Sequence, residues 1–196
     1  MKKSASLIIV LTCTALLSGV ILSFLSAFTQ PKIEAHAAEV LRNAISTVLP
    51  GIESYDKKVI DGVDFYIGKD AAGDPKNVAF LAVGNGFQSK LRILVGMDLK
   101  MAQIHSVKIL EQMETPGLGT KIETDPSNKE NPDWFTKQFS GLNLEDQEIT
   151  YLKNEEPSKE KSQIMAITGA TISSEAMVDI INRAVENKKE IFLNRG

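Results

Sequence analysis

The chain has 196 residues, one cysteine and a formal net charge of −3 at pH 7. The single cysteine, Cys13, excludes an intramolecular disulfide, a metal site built on cysteines and an iron–sulfur cluster held by this chain alone. All 25 acidic residues and 20 of the 22 Lys and Arg residues lie after position 30, so residues 31–196 carry a formal net charge of −5. This negative charge argues against nucleic acid as a partner and against a polybasic membrane-binding patch.

The amino-terminal segment, residues 1–30, has the properties of a membrane anchor. Two lysines at positions 2 and 3 precede an apolar run over 7–28, which is long enough to cross a bilayer because a spanning helix needs about 20 residues. A cleaved signal peptide is the alternative, but its apolar region is usually about 7–15 residues long. Because the two lysines should stay in the cytoplasm, we expect a single-pass anchor in lipid of the cell (inner) membrane, with residues 31–196 outside the cytoplasm.

Residues 31–196 are expected to form one α+β domain, an antiparallel sheet flanked by helices. An apolar stripe predicts a helix over 33–48, which Pro50 and Gly51 end. Apolar, strand-like runs between turn signals, with alternation over 104–110, predict the sheet, with a hairpin turn at 84–86. The predicted strands are 63–67, 78–83, 91–98, 104–110, 149–152 and 163–167, and a short helix is predicted over 131–139.

Residues 168–174, with the sequence Thr-Gly-Ala-Thr-Ile-Ser-Ser, form a small-residue turn that leads into a helix. Apolar residues recur with the helical period after Ser174, and Ser173 or Ser174 is placed to cap this helix, with Glu175 in its first turn. The amino terminus of a helix binds phosphate readily, and Thr171 would present its hydroxyl there. An ordinary capped helix after a glycine turn is the alternative, and these residues alone leave both open.

The sequence Thr-Gly-Ala-Thr at 168–171 resembles the flavinylation motif, Ser/Thr-Gly-Ala-Thr, of the FMN-binding domain family. That family includes the G subunit of the ion-translocating Rnf electron-transport complex and the C subunit of the sodium-pumping quinone reductase. Glu-Thr-Pro-Gly-Leu-Gly at 114–119 is similar to a signature loop of the same family, and the strand pair around 84–98 is similar to it as well. In that family the last threonine of the motif carries FMN as a phosphoester, attached by a flavin transferase.

The resemblance implies a membrane-anchored electron-transfer subunit of an ion-translocating ferredoxin:NAD oxidoreductase complex, with the other membrane subunits and a flavin transferase as partners. It implies that FMN is bound covalently through its phosphate to Thr171. Since the chain has no NAD fingerprint and no iron–sulfur ligands, it would be a redox relay rather than a complete enzyme. The cofactor-binding residues implied by the two motifs are Thr168, Gly169, Ala170, Thr171, Ser173 and Ser174, together with Glu114, Thr115, Gly117, Leu118 and Gly119.

The sequence also leaves other assignments open. The chain could be a quinone reductase component similar to the C subunit, a stand-alone anchored flavoprotein, or an anchored binding module in which Thr171 is never modified. Trp134 could pack in the core or line one face of a flavin. The two histidines, His36 and His105, have no partner at metal-ligand spacing, so no metal site is predicted.

Overall fold

The computed structural model describes the backbone of residues 2–195 and the side chains of residues 5–194. The chain divides into two compact units, Met1–Leu41 and Arg42–Gly196. The boundary expected from the sequence, between residues 30 and 31, stays a prediction.

Helix α1 (Lys2–Val48) contains the predicted anchor and continues without a break through Pro31. Proline lacks an N–H and removes one hydrogen bond of the helix, but here it does not end the helix, which stops instead before Pro50 as predicted. From residue 5 onward α1 is long and apolar enough to cross a membrane. The expected long apolar helix at the amino terminus is therefore present, and its role as a membrane anchor stays a prediction.

The carboxyl-terminal unit is built on a five-stranded antiparallel sheet with consecutive strands as neighbours. A separate two-stranded parallel pair joins the last two strands. The strands are β1 (Ser54–Ile60), β2 (Val63–Lys69), β3 (Pro75–Asn85), β4 (Lys90–Asp98), β5 (Ile104–Glu111), β6 (Thr150–Leu152) and β7 (Gln163–Met165), and the helices are α2 (Trp134–Lys137) and α3 (Thr171–Arg195), with 3-10 turns at Gly119–Ile122 and Lys159–Lys161.

Two glycines let helices lie close against the sheet. A Cβ at Gly84 of β3 would overlap the Ile180 side chain of α3, and a Cβ at Gly96 of β4 would overlap the backbone of Val48 at the end of α1. One continuous apolar cluster fills the space between the sheet, α2 and α3. Its largest fully buried side chains include Phe65, Phe80, Phe135 and Phe139.

The α+β class and the predicted strands are confirmed, with three differences. Strand β1 was not predicted, because it is mostly exposed and carries adjacent lysines that hide its alternation. Strand β3 runs to Asn85, so the hairpin turn lies at 86–89 and is closed by a hydrogen bond from the Gly86 N–H to the Ser89 carbonyl (2.7 Å). Strands β6 and β7 form their own parallel pair outside the antiparallel sheet.

One part of β3 has a neighbouring strand on a single side. Pairing with β2 stops at Phe65 and Phe80, whereas pairing with β4 continues to Asn85 and Lys90. Residues 81–85 therefore form an open edge inside an otherwise paired strand. Exposed strand edges offer unpaired backbone groups to other chains.

Candidate functional site

Three segments meet at the amino terminus of α3: the turn at 86–89, the loop at 114–119 and the turn at 168–174. The structure thus brings together the two motifs found in the sequence and adds the hairpin turn between β3 and β4. A cavity of about 140 Å³ lies between the segments. It is lined by Phe87, Thr115, Leu118, Gly119, Gly169, Ala170, Thr171, Ile172 and Ser173.

Thr171 is the first residue of α3 and is half-buried beside this cavity. The turn before it is tight: Gly169 has φ +82°, and the Ala170 N–H donates to the Ile167 carbonyl at 2.9 Å. The first backbone N–H groups of a helix have no acceptor within the helix, and the helix dipole adds positive charge there. The surroundings of the Thr171 hydroxyl therefore fit a phosphate group.

The prediction that Ser173 or Ser174 caps the helix is wrong. The Ser174 N–H donates to the Ala170 carbonyl at 3.0 Å, so the helix starts earlier and both serines lie in its first turn. The Ser174 hydroxyl donates to the Ala170 carbonyl (3.0 Å) and accepts from the Ile167 N–H (3.1 Å). Glu175 follows this first turn instead of lying in it.

Glu114 is a buried carboxylate that ties the three segments together, with only 3% of its surface exposed. Its Oε1 accepts from the backbone N–H groups of Gln88 and Ser89, both at 3.0 Å, and its Oε2 accepts from the Ser173 hydroxyl at 2.7 Å. Burial alone would raise the pKa of this carboxyl, but the hydrogen bonds from Ser173, Gln88 and Ser89 outweigh it and leave the pKa below its ordinary value. Glu114 therefore acts as an ionised acceptor that positions the start of α3.

Two glycines leave the space that this carboxylate needs. A Cβ at Gly86 would lie 2.6 Å from the Glu114 Oε1. A Cβ at Gly119 would lie 2.7 Å from the Glu114 Cβ and 2.9 Å from the Ser173 Oγ. Gly117, in contrast, faces open space and has φ +73°, so its role is to form the turn.

The remaining residues of the 114–119 loop are held by hydrogen bonds at its rim. The Thr115 hydroxyl donates to Gln88 Oε1 at 3.0 Å, and the Gly117 N–H donates to Thr120 Oγ1 at 3.0 Å. Thr115 and Leu118 line the cavity, while Glu114 lies beneath it and Gly117 at the exposed tip of the loop. Thr168 is exposed and does not line the cavity.

Three large apolar side chains stand exposed around Thr171. Phe87, Leu118 and Ile172 are 60%, 48% and 57% exposed. The cavity they surround is smaller than the 300–1,000 Å³ typical of a cofactor pocket. The residues present fit FMN: the start of α3 would hold its phosphate, and Phe87, Leu118 and Ile172 would offer apolar contacts to the flavin. Phe87 and Ile172 were not predicted as site residues. Each is a bulky apolar residue within a turn of small residues, and this pattern could have indicated an exposed apolar contact surface.

Trp134 is not among the residues that line this cavity. Its indole N–H donates to Asp125 Oδ2 at 3.3 Å, and its ring packs edge-on against Phe135. The pKa of Asp125 falls to about 2, mainly because the Ser127 hydroxyl donates a hydrogen bond to its carboxylate. Burial acts in the opposite direction, and the Ser127 N–H and the indole of Trp134 lower the pKa further. Trp134 therefore belongs to the packing of the segment that follows the 114–119 loop.

Comparison with known proteins places this site in a family. The FMN-binding domain family matches residues 86–186, which include all three segments around Thr171. The G subunit of the ion-translocating oxidoreductase complex of Methanosarcina acetivorans is 27% identical over 195 residues, covering 94% of this chain and 94% of the relative. The protein of the same name from Aliivibrio fischeri is 28% identical over 200 residues, covering 94% of this chain and 89% of the relative.

A solved structure shares the fold. NqrC from Shewanella oneidensis superposes with a TM-score of 0.51 and 17% sequence identity, covering 74% of this chain and 73% of that one. At this identity the similarity concerns the fold alone.

Proposed function

This chain belongs to the FMN-binding domain family, and we propose that it is a membrane-anchored electron-transfer subunit of an Rnf-type ion-translocating oxidoreductase with FMN bound covalently to Thr171. The observation that carries this proposal is the position of Thr171 at the start of α3, within a site assembled entirely from the matched residues. The relatives named as G subunits align with nearly the whole chain, which supports the same assignment.

The proposed bond is a phosphoester on the Thr171 hydroxyl. The oxygen attacks the flavin-side phosphorus of an activated flavin dinucleotide, the hydroxyl proton is released, and a nucleoside monophosphate leaves. The amino terminus of α3 would stabilise the remaining negative charge by about 0.3–1 kcal/mol. When bound, FMN supplies one- and two-electron transfer, and the protein supplies its position and electrostatic environment.

The chain's own residues have three roles in this proposal. Thr171 holds the phosphate, and Glu114 positions the first turn of α3 through Ser173. Phe87, Leu118 and Ile172 offer an apolar surface to the flavin ring. Because the ring would not be enclosed, electrons could pass from it to a neighbouring protein over a short distance.

The orientation and partners are part of the same proposal. The two lysines before the apolar segment favour a cytoplasmic amino terminus, so the flavin domain would lie outside the cytoplasm. A covalent bond would keep the cofactor attached there. A flavin transferase would install it, and other membrane subunits would supply the NAD and iron–sulfur functions that this sequence lacks.

The first test is to express the full chain together with a flavin transferase and to view a denaturing gel under ultraviolet light. The wild type should give a yellow-green fluorescent band, and Thr171→Ala should give none. Thr124→Ala is the matched control, because it removes the hydroxyl of an exposed threonine of the same domain that lies outside both motifs, and it should leave the band unchanged. If Thr171→Ala remains fluorescent, or if no variant fluoresces while a control protein does, covalent attachment at Thr171 is wrong.

A second measurement distinguishes the relay subunit from a stand-alone flavoprotein. The tagged chain is purified from its native membrane in mild detergent, and the copurifying proteins are identified. An Rnf-type subunit should bring stoichiometric membrane subunits with it. A fluorescent chain that purifies alone would support the stand-alone flavoprotein instead.

A further inference from the structure

The open edge of β3 lies beside a groove of about 580 Å³ between β3 and α3. We propose that this groove binds an extended segment of a partner protein, which adds to the sheet as a strand next to residues 81–85. The proposal concerns a surface outside the FMN site and does not depend on flavin being bound. Strand addition of this kind obtains its affinity from main-chain hydrogen bonds.

The direction of the backbone groups in β3 follows from the hydrogen bond of the hairpin turn and from the unbroken pairing with β4. The Gly86 N–H donates to the Ser89 carbonyl within the β3–β4 hairpin, so the residues two, four and six positions before Gly86 also face β4, and the residues between them face the opposite side. The Leu81 carbonyl, which accepts from Lys188, has this opposite direction. Val83 and Asn85 therefore direct their N–H and C=O groups toward the side where β2 has ended. Within the described part of the chain, neither residue has a backbone hydrogen bond on that side.

Lys188 of α3 closes one end of the open edge. Its ammonium group donates to the Leu81 carbonyl at 2.9 Å and lies 5.5 Å from the centre of the Phe80 ring. Burial lowers the pKa of this lysine. An added strand would therefore pair with Val83 and Asn85 and stop before Leu81, so the available edge is about 10 Å long at roughly 3.3 Å per residue.

The walls of the groove indicate the chemistry of the added strand. Helix α3 runs antiparallel to β3, because Lys188 contacts Leu81 and Ile180 lies over Gly84. The acidic side chains of Glu175 and Asp179 thus line the end near Asn85, while Arg183 and Lys188 line the end near Leu81.

Arg183 is the free cation of this groove. It is exposed and forms no hydrogen bond or ion pair with any residue that the structure describes. An added strand antiparallel to β3 begins near Asn85. It would therefore carry a basic side chain at its amino end, toward Glu175 and Asp179, and an acidic side chain at its carboxyl end, toward Arg183.

The groove also has a defined position relative to Thr171. Ile172 lines both the groove and the cavity at Thr171. If the proposed function is correct, a strand bound here would bring a partner to the side of the flavin.

The test uses the full chain in detergent micelles without flavin. A negative result would therefore count against strand addition and would not bear on covalent FMN at Thr171. The probe is a fluorescent, end-capped five-residue peptide, with lysine at the amino end, alternating threonine and valine in the middle and glutamate at the carboxyl end, so that its two charges lie about 13 Å apart on one face of the strand. Binding is measured by fluorescence anisotropy. Two further peptides carry N-methyl groups on alternate amides, one on the set that faces β3 and one on the set that faces away.

We expect saturable binding of the unmodified peptide. N-methylation of the amides that face β3 should weaken binding about tenfold, and N-methylation of the amides that face away should change it by less than about twofold. Arg183→Glu should weaken binding about two- to fivefold, and a peptide that ends in lysine should restore it. Lys189→Glu is the matched control, because this lysine lies on the other flank of α3, beside residues 144–148, and its reversal should have no effect.

Three outcomes would overturn the proposal. Absence of saturable binding would mean that the edge does not accept an added strand and that Lys188 serves to block it. Equal weakening by both N-methylated peptides would exclude main-chain pairing with β3. A concentration-dependent dimer of the chain that the peptide dissociates would assign the groove to a second copy of this chain instead of a partner.

Discussion

Replacing Glu114 by alanine should destabilise the carboxyl-terminal unit strongly, because one buried carboxylate serves donors from two other segments. The backbone N–H groups of Gln88 and Ser89 and the hydroxyl of Ser173 would each lose their acceptor. At about 1–1.5 kcal/mol for each of these three lost hydrogen bonds, the expected loss in the free energy of unfolding is about 3–4.5 kcal/mol.

Glu114→Gln is the matched control because it keeps the shape and one acceptor oxygen. The amide oxygen can accept from Gln88 and Ser89, and the amide NH₂ can donate to the Ser173 hydroxyl. The loss should then be about 1–2 kcal/mol, since neutral hydrogen bonds replace charge-assisted ones. Urea unfolding of the full chain in detergent, followed by the fluorescence of the single tryptophan, Trp134, measures both values.

The pH dependence supplies an independent check on the same carboxylate. The pKa of Glu114 is lower in the folded protein than its ordinary value of 4.5. A lowered folded-state pKa contributes stability above the ordinary value and loses it as the pH falls through the folded value. The difference between wild type and Glu114→Gln should therefore be full near neutral pH and shrink below about pH 4.5. A loss under about 1 kcal/mol for Glu114→Ala would refute the structural role assigned to this residue.

Two further predictions concern the surroundings of the same loop. Gly119→Ala should lower the free energy of unfolding by about 2–3 kcal/mol, because the added Cβ would lie 2.7 Å from the Glu114 Cβ. Gly117→Ala should lower it by only about 1 kcal/mol, because the added Cβ meets open space and only the positive φ is unfavourable. Urea unfolding measures both values, and a larger loss for Gly117→Ala would contradict the packing around Glu114. The pKa of Asp125 falls from an ordinary 3.8 to about 2, so it stabilises the fold above about pH 4 and this contribution is lost on acidification toward pH 2. Asp125→Asn should flatten the acid transition seen in Trp134 fluorescence, and identical acid transitions in the two proteins would count against this assignment.

The parts of the fold with strong periodicity could be predicted from the sequence. Short apolar runs between turn signals identified β2, β3 and β4, and alternation identified β5. The apolar stripe after Ser174 identified α3, because it records which side chains of the helix face the core. Strand β1 was missed because its charged residues hide the alternation at an exposed sheet edge. The hairpin turn was placed too early because Gly84 is a close-packing glycine inside β3, not a turn residue.

The site was predicted less completely than the fold. The two motifs pointed to Thr171 and to the loop at 114–119 through family resemblance. The bond between Ser173 and Glu114 joins residues 59 positions apart, and no local pattern reveals such a partner. For the same reason Ser173 was predicted as a helix cap, whereas its hydroxyl is used in a long-range contact.

That long-range contact means that the geometry around Thr171 is a property of the completed fold. Bringing residues 59 positions apart into contact costs loop-closure entropy, which only the finished tertiary structure offsets. A short peptide with the sequence Thr-Gly-Ala-Thr would contain the hydroxyl but lack the carboxylate that holds the next turn in place. Grafting the motif onto another helix would therefore transfer the acceptor atom without its orientation, and a portable version would need all three segments.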